Sequence, residues 1–122
     1  MAIKDSEGDF DGTITFDYTY SNAGNGMDAS SGIFTTPEEG VYLFGILGNT
    51  AQKSKDWTRI NVYSNDDYIF RIADGNQADT WNNIGGTWIW RMAKGEKVRL
   101  EVDKNPLCGG HVHFWGFRIS EL

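Results

Sequence analysis

Two stretches of the chain are apolar on both faces of an extended strand, and they organise the rest. Residues 41–47 place Val41, Leu43 and Leu47 on one side and Tyr42, Phe44 and Ile46 on the other. Residues 112–119 oppose Val112, Phe114 and Gly116 to His113, Trp115, Phe117 and Ile119, so neither side is plainly polar. A strand apolar on both faces has to be covered on both. Elsewhere the alternation is of the half-buried kind. Ile14, Phe16 and Tyr18 alternate with polar residues, as do Thr58, Ile60 and Val62, and Val98, Leu100 and Val102. Further short strands are expected at 2–4 (an edge), 32–34, 68–73 and 87–92. Asn65-Asp66 supplies turn residues for a hairpin, and Pro37 argues against a central strand at its own position.

Polar stretches at 5–12, 21–31, 48–56, 74–86 and 103–110 read as loops. No segment sustains a 3.6-residue period, so the pattern predicts an all-β sandwich or barrel of very low helix content. With 122 residues the chain is long enough for one domain, residues 1–122, with a proper core. Fifteen glycines, two prolines and seventeen aromatics suit short strands joined by tight turns. The formal net charge of -6 argues against nucleic acid or an anionic membrane as main partner. No stretch is long enough to insert in a membrane as a helix. The single cysteine, Cys108, excludes an internal disulfide framework. The chain opens almost directly on its first strand; were the protein secreted, its leader and any stalk would lie outside these residues.

Candidate chemistry falls in three places. The acidic loop carries Glu7, Asp9, Asp11 and Gly12 at the spacing of half an EF-hand, but Tyr18 stands where the bidentate Glu is required. The EF-hand is therefore rejected, leaving a looser calcium site against a solvated loop; calcium is the one cofactor kept in view. His111 and His113 share a strand face and, with Cys108, could hold zinc, against the alternative of packing and hydrogen bonding. Trp81 stands among Asp79, Asn82 and Asn83, with Asn76 nearby. An aromatic plate beside amides and a carboxylate is how proteins hold sugars, the ring stacking on the apolar face while the polar groups bond hydroxyls. The competing reading is a loop tryptophan folded back on the sandwich. No nucleophile elbow, phosphate loop or His-Glu-x-x-His occurs, so the expectation is a binding protein and not an enzyme.

An ordered set of short motifs resembles the globular-head domain of the complement C1q family, which shares its fold with tumour necrosis factor ligands. The set is Ile14-Thr15-Phe16-Asp17, Asn22-Ala23-Gly24, Asp28, Gly32-Ile33-Phe34, Pro37, Gly40-Val41-Tyr42, Phe44, Gly95-Glu96-Lys97-Val98 and Phe114-Trp115-Gly116-Phe117. It spans nearly the whole chain and departs at Met27, where the family pattern usually has an aromatic. The resemblance implies a ten-stranded jelly-roll β-sandwich and a homotrimer with the two doubly apolar strands near its threefold axis. Tyr42, Phe44, His113, Trp115 and Phe117 are the expected interface residues. It further implies a secreted, lectin-like pattern-recognition module for microbial or cell-surface glycans in innate immunity. A protein ligand of a cell-surface receptor, and a calcium-binding matrix protein, are the alternatives.

Overall fold

The computed structural model describes residues 1–4, 9–50, 58–74 and 83–121, with backbone alone at 9–11, 74, 104–106 and 108–111. The described strands are β1 (Ala2–Lys4), β2 (Asp9–Thr13), β3 (Tyr18–Thr19), β4 (Met27–Asp28), β5 (Ile33–Thr35), β6 (Gly40–Thr50), β7 (Thr58–Ser64), β8 (Asp67–Asp74), β9 (Asn83–Met92) and β10 (Lys97–Ser120). A single 3₁₀ turn at Ala23–Asn25 is the only helical element among the described residues. Every strand pair is antiparallel. The architecture is the expected all-β jelly roll.

One strand serves both layers. The first part of β10 pairs with β7 on one side and with β5 and then β2 on the other. Its last part lies between β6 and β1. The layers are therefore β8-β7-β10 with β5, β4 and β2, and β9-β6-β10 with β1 and β3. Residues 103–110, expected as a loop, are instead the bend of this strand. Its register shifts between Val102 and Leu107 and again between Cys108 and His113. Turn-forming residues such as Asn105, Pro106 and Gly109 suit a strand interrupted by bulges as well as they suit a loop.

Two other expectations shift in the same way. Part of the acidic loop is strand β2, whose Phe10 and Asp9 pair with Leu107 and Cys108. The alternating segment 13–18 buries Ile14 and Phe16 as predicted but is not one strand. Its amides find partners in turn: Ile14 N–H donates to the Leu100 carbonyl, Phe16 to Ala29 and Asp17 to Ile3, each at 2.8 Å. The period of two reported burial, and the ladder was supplied by three different strands or loops. Asn65 and Asp66 both take positive φ (50° and 69°), as the two-residue hairpin turn requires.

Between the layers lies an aromatic core centred on Phe44, which is fully buried. It stacks on Phe114 (6.1 Å between centroids), Trp88 (5.5 Å) and Tyr42 (5.9 Å), and Phe34 meets it edge-on at 5.5 Å. Such pairs contribute about 0.5–1.5 kcal/mol each beyond the area they bury. Gly116 pairs with Phe44 across β6 and β10, and a Cβ there would sit 2.6 Å from Cδ1 of the ring. Because the ring is hemmed in by its neighbours, it cannot swing aside. We predict that Gly116→Ala destabilises the domain by about 1–3 kcal/mol in urea unfolding. Gly48→Ala, whose methyl would meet nothing closer than 3.6 Å, should stay near the parent value.

Candidate functional site

Register fixes what the β9-β6-β10 layer turns outward. Cross-strand partners share a face, so the outer row on β6 and β10 is Leu43 with Phe117, Gly45 with Trp115, and Leu47 with His113. On the β9 side the same row adds Ile89 beside Leu43, Thr87 beside Gly45 and Gly85 beside Leu47. Trp115 lies flat over Gly45, where an added Cβ would fall 2.1 Å from Cζ2. Ile89 is 60% exposed, Phe117 53% and Leu47 47%. Three large apolar side chains left this open on one sheet face form a patch of the kind that marks an interaction surface.

Tyr42 and Phe44, expected at a trimer interface, do not lie on this outer face. They are 3% and 0% exposed within the single chain, stacked into the core by the same register that turns Leu43 and Leu47 outward. His113, Trp115 and Phe117 do lie on the outer face. The sequence splits the strand into its two faces, and the outward-facing apolar residues it does not name as candidates are Leu43, Leu47 and Ile89. The signal that could have chosen between the faces is Gly116, whose missing side chain makes room for Phe44 on the inner side.

The opposite outer surface, on β8-β7-β10, is built from polar groups that satisfy one another. Asp103 accepts from Arg59 Nε and, at 2.6 Å, from Asn61 Nδ2; Asn61 Oδ1 accepts from Arg71 Nε at 2.8 Å. Arg99 lies over the Tyr63 ring at 4.2 Å and reaches Glu101 at 2.8 Å. One outer face of the sandwich is thus solvated and internally paired, the other apolar and unpaired. A cleft of about 630 Å³ opens at the rim of the apolar layer, between the end of β10 and residues 21–27.

Of the expected sugar site, Asn76, Asp79, Trp81 and Asn82 lie outside the described residues. Asn83 is the exposed first residue of β9, opposite Asn49. Of the acidic loop, Glu7 lies outside the described residues, and Asp9 and Asp11 belong to β2, described as backbone. His111 and Cys108 are likewise backbone positions in β10, while His113 faces outward opposite Leu47 and Ile3. No cluster of three His, Cys, Asp or Glu side chains occurs among the described residues, and none of their helices is long and apolar enough to cross a membrane.

The family model of the C1q domain matches residues 2–117. The chain belongs to the C1q domain family. This C1q domain is 27% identical over 106 residues to human complement C1q tumor necrosis factor-related protein 3, and 29% identical over 109 residues to the mouse protein. In both cases the match covers 85% of this chain and 42% of the relative, so the domain corresponds to less than half of those proteins. The globular domain of zebrafish complement 1qA matches its fold with a TM-score of 0.77 at 20% identity, covering 97% of this chain and 92% of that one. Murine APRIL matches with a TM-score of 0.70 at 12% identity, covering 94% and 92%. These likenesses establish the jelly roll shared by C1q and tumour necrosis factor-like proteins.

The Asp103 network makes a pH prediction. Burial alone would raise this carboxyl, but the hydrogen bonds from Arg59 and Asn61 and the charges of Arg59 and Arg71 outweigh it and hold the group below the ordinary carboxylate value. A depressed folded-state pKa gives stability that is present at neutral pH and is lost as pH falls through the lowered value. The urea midpoint should therefore drop more steeply in the parent than in Asp103→Asn below about pH 4. Parallel curves for the two proteins would show that the network carries no such linkage.

Proposed function

We propose that this C1q domain is the head of a secreted homotrimeric recognition module, and that it binds microbial or cell-surface glycans through loops presented in three copies. The observation that carries the assembly is the apolar outer face of β9-β6-β10, bearing Leu43, Leu47, Ile89 and Phe117. Covering that face with a second and a third copy removes it from water, and closed homo-oligomers are the usual way a chain does so. At roughly 25 cal/mol per Å² of apolar surface, a few hundred Å² per protomer supplies several kcal/mol toward association, before its entropic cost. Family membership supports the same reading. Three weak loop sites held rigidly together act through effective concentration, so a module with weak single-site affinity still grips a repetitive surface.

The sugar-binding role rests on the composition around Trp81: an aromatic ring with Asp79, Asn82, Asn83 and Asn76. The reading is of binding without catalysis. Calcium bound by Glu7, Asp9 and Asp11 is the one cofactor it admits.

Two experiments test the proposal. Leu47→Asp placed with Ile89→Asp puts six carboxylates into the interface of a trimer; light scattering after gel filtration should then find a folded monomer. Retention of the parent's oligomeric state by this variant would remove the face from the account. For the ligand, a glycan array read with calcium and with chelator should show binding that Trp81→Ala abolishes. Loss with chelator alone would move the site to the acidic loop, and no binding to any glycan would turn the reading toward a protein receptor.

A further inference from the structure

The polar network on the outer face of β8-β7-β10 is complete at its buried members and open at an exposed one. Register sets three rows across this face: Tyr68, Tyr63 and Arg99; Arg71, Asn61 and Glu101; Ala73, Arg59 and Asp103. Tyr68 and Arg71 stand three apart on β8 and would face opposite ways on a regular strand. The register shift between Val62 and Tyr63 leaves Ile69 without a cross-strand partner, so both residues come to the outer side. There Arg71 lies over the Tyr68 ring, 5.8 Å from its centroid, and Tyr63 and Tyr68 meet edge to face at 6.1 Å.

Three arginines share this face, and they are spent unequally. Arg99 contacts Glu101 at 2.8 Å and Asp66 at 3.3 Å. Arg59 is paired with Asp103, whose second oxygen accepts from Asn61. Arg71 has no carboxylate partner among the described residues; its Nε donates to the neutral Asn61 Oδ1 at 2.8 Å. Asn61 is buried and has both ends of its amide engaged, so it anchors Arg71 from a fixed position. An exposed arginine normally ranges over many rotamers, and fixing it on binding costs free energy. Here the Nε bond and the Tyr68 ring fix the guanidinium in advance. Its two terminal nitrogens have no acceptor among the described residues.

We propose that Arg71 and Tyr68 form a docking point for an acidic segment of a partner protein. The terminal nitrogens of Arg71 receive a carboxylate, and an apolar side chain packs on the part of Tyr68 left open, a residue 52% exposed. A planar fork held in place matches a carboxylate through two parallel hydrogen bonds. It is also the cation left uncompensated on this face, in a chain whose net charge is -6. Rigid tyrosine and arginine side chains are the ones that dominate protein–protein contacts. Along an extended segment, side chains on one side recur about every 6.4–6.8 Å, which is also the spacing of the rows beneath it. The segment therefore carries its acidic and apolar residues two positions apart. A sugar would need a bare aromatic plate, whereas Arg71 already covers one face of this ring. The docking point lies across the sandwich from Leu47 and Ile89, and it depends neither on the assembly nor on the loop around Trp81.

The test uses the intact chain and the probe acetyl-Ala-Glu-Ala-Leu-Ala-amide, titrated by NMR. Amide signals of residues 68–71 should shift, and the Arg71 Nε–H signal with them. Replacing the probe's Glu by Gln should weaken binding about two- to five-fold, the scale of an exposed ion pair. In Arg71→Gln the two probes should bind equally. Arg71→Lys keeps the charge without the fork and should lose most of the preference for Glu. Three results would overturn the proposal. One is a titration that leaves 68–71 unmoved, or moves Lys94 and Lys97 as much, which is unspecific attraction to cations. Another is a preference for Glu that survives intact in Arg71→Lys, which leaves the fork no role. The third is sialyllactose binding at 68–71 more tightly than the peptide, which assigns the face to an acidic sugar.

Discussion

The antiparallel register between the ends of β6 and β10 is the constraint on which the rest of the structure depends. It sets Phe44 opposite Gly116 and Gly45 opposite Trp115, so each bulky ring lies over a residue with no side chain. A slip of one position would turn one strand over relative to the other and bring either Phe44 or Phe114 to the surface. The register is therefore held by packing on both sides at once. The inner ring stack of Phe44, Phe114 and Trp88 fixes the core, and with the core fixed, Leu43, Leu47 and Phe117 have no place but outside.

That consequence links the fold to what the domain can do. A sandwich normally wets both outer faces, and the layer built on β7 and β8 does so with a paired network around Asp103, Asn61 and Arg99. The other layer does not. Its apolar surface is costly to a lone protomer and useful to an assembly, and an assembly places loops at one end of each copy close to those of the next. In the proposed assembly, specificity would reside in the loops and could vary while the packed strands hold, since one fold can serve unlike partners.

Much of this was legible in the sequence, for physical reasons that differ from residue to residue. The period of two in Val98, Leu100 and Val102 and in Ile60 and Val62 located buried strands, because burial is what alternation encodes. Asn65-Asp66 located its turn, because positive φ at both positions suits few residues. The doubly apolar strand at 41–47 announced a second covered face, but alternation cannot say which face is the inner one. That choice was made by a residue far along the chain, Gly116, through a contact invisible until the strands are paired. The bend at 103–110 was hidden for a related reason. Turn-forming composition is common to loops and to bulged strands, and only the pairing of Leu107 and Cys108 with both β2 and β6 separates them. Of the candidate sugar site, the composition around Trp81 was the readable part; its shape belongs to residues outside those described.

The measurement that bears most directly on the account is sedimentation equilibrium of the unaltered chain at neutral pH over a wide dilution range. The account predicts a species of about three times 13.7 kDa that persists on dilution. A single ideal species at 13.7 kDa at every concentration would contradict it, leaving Leu47, Ile89 and Phe117 exposed to water with no partner copy to cover them.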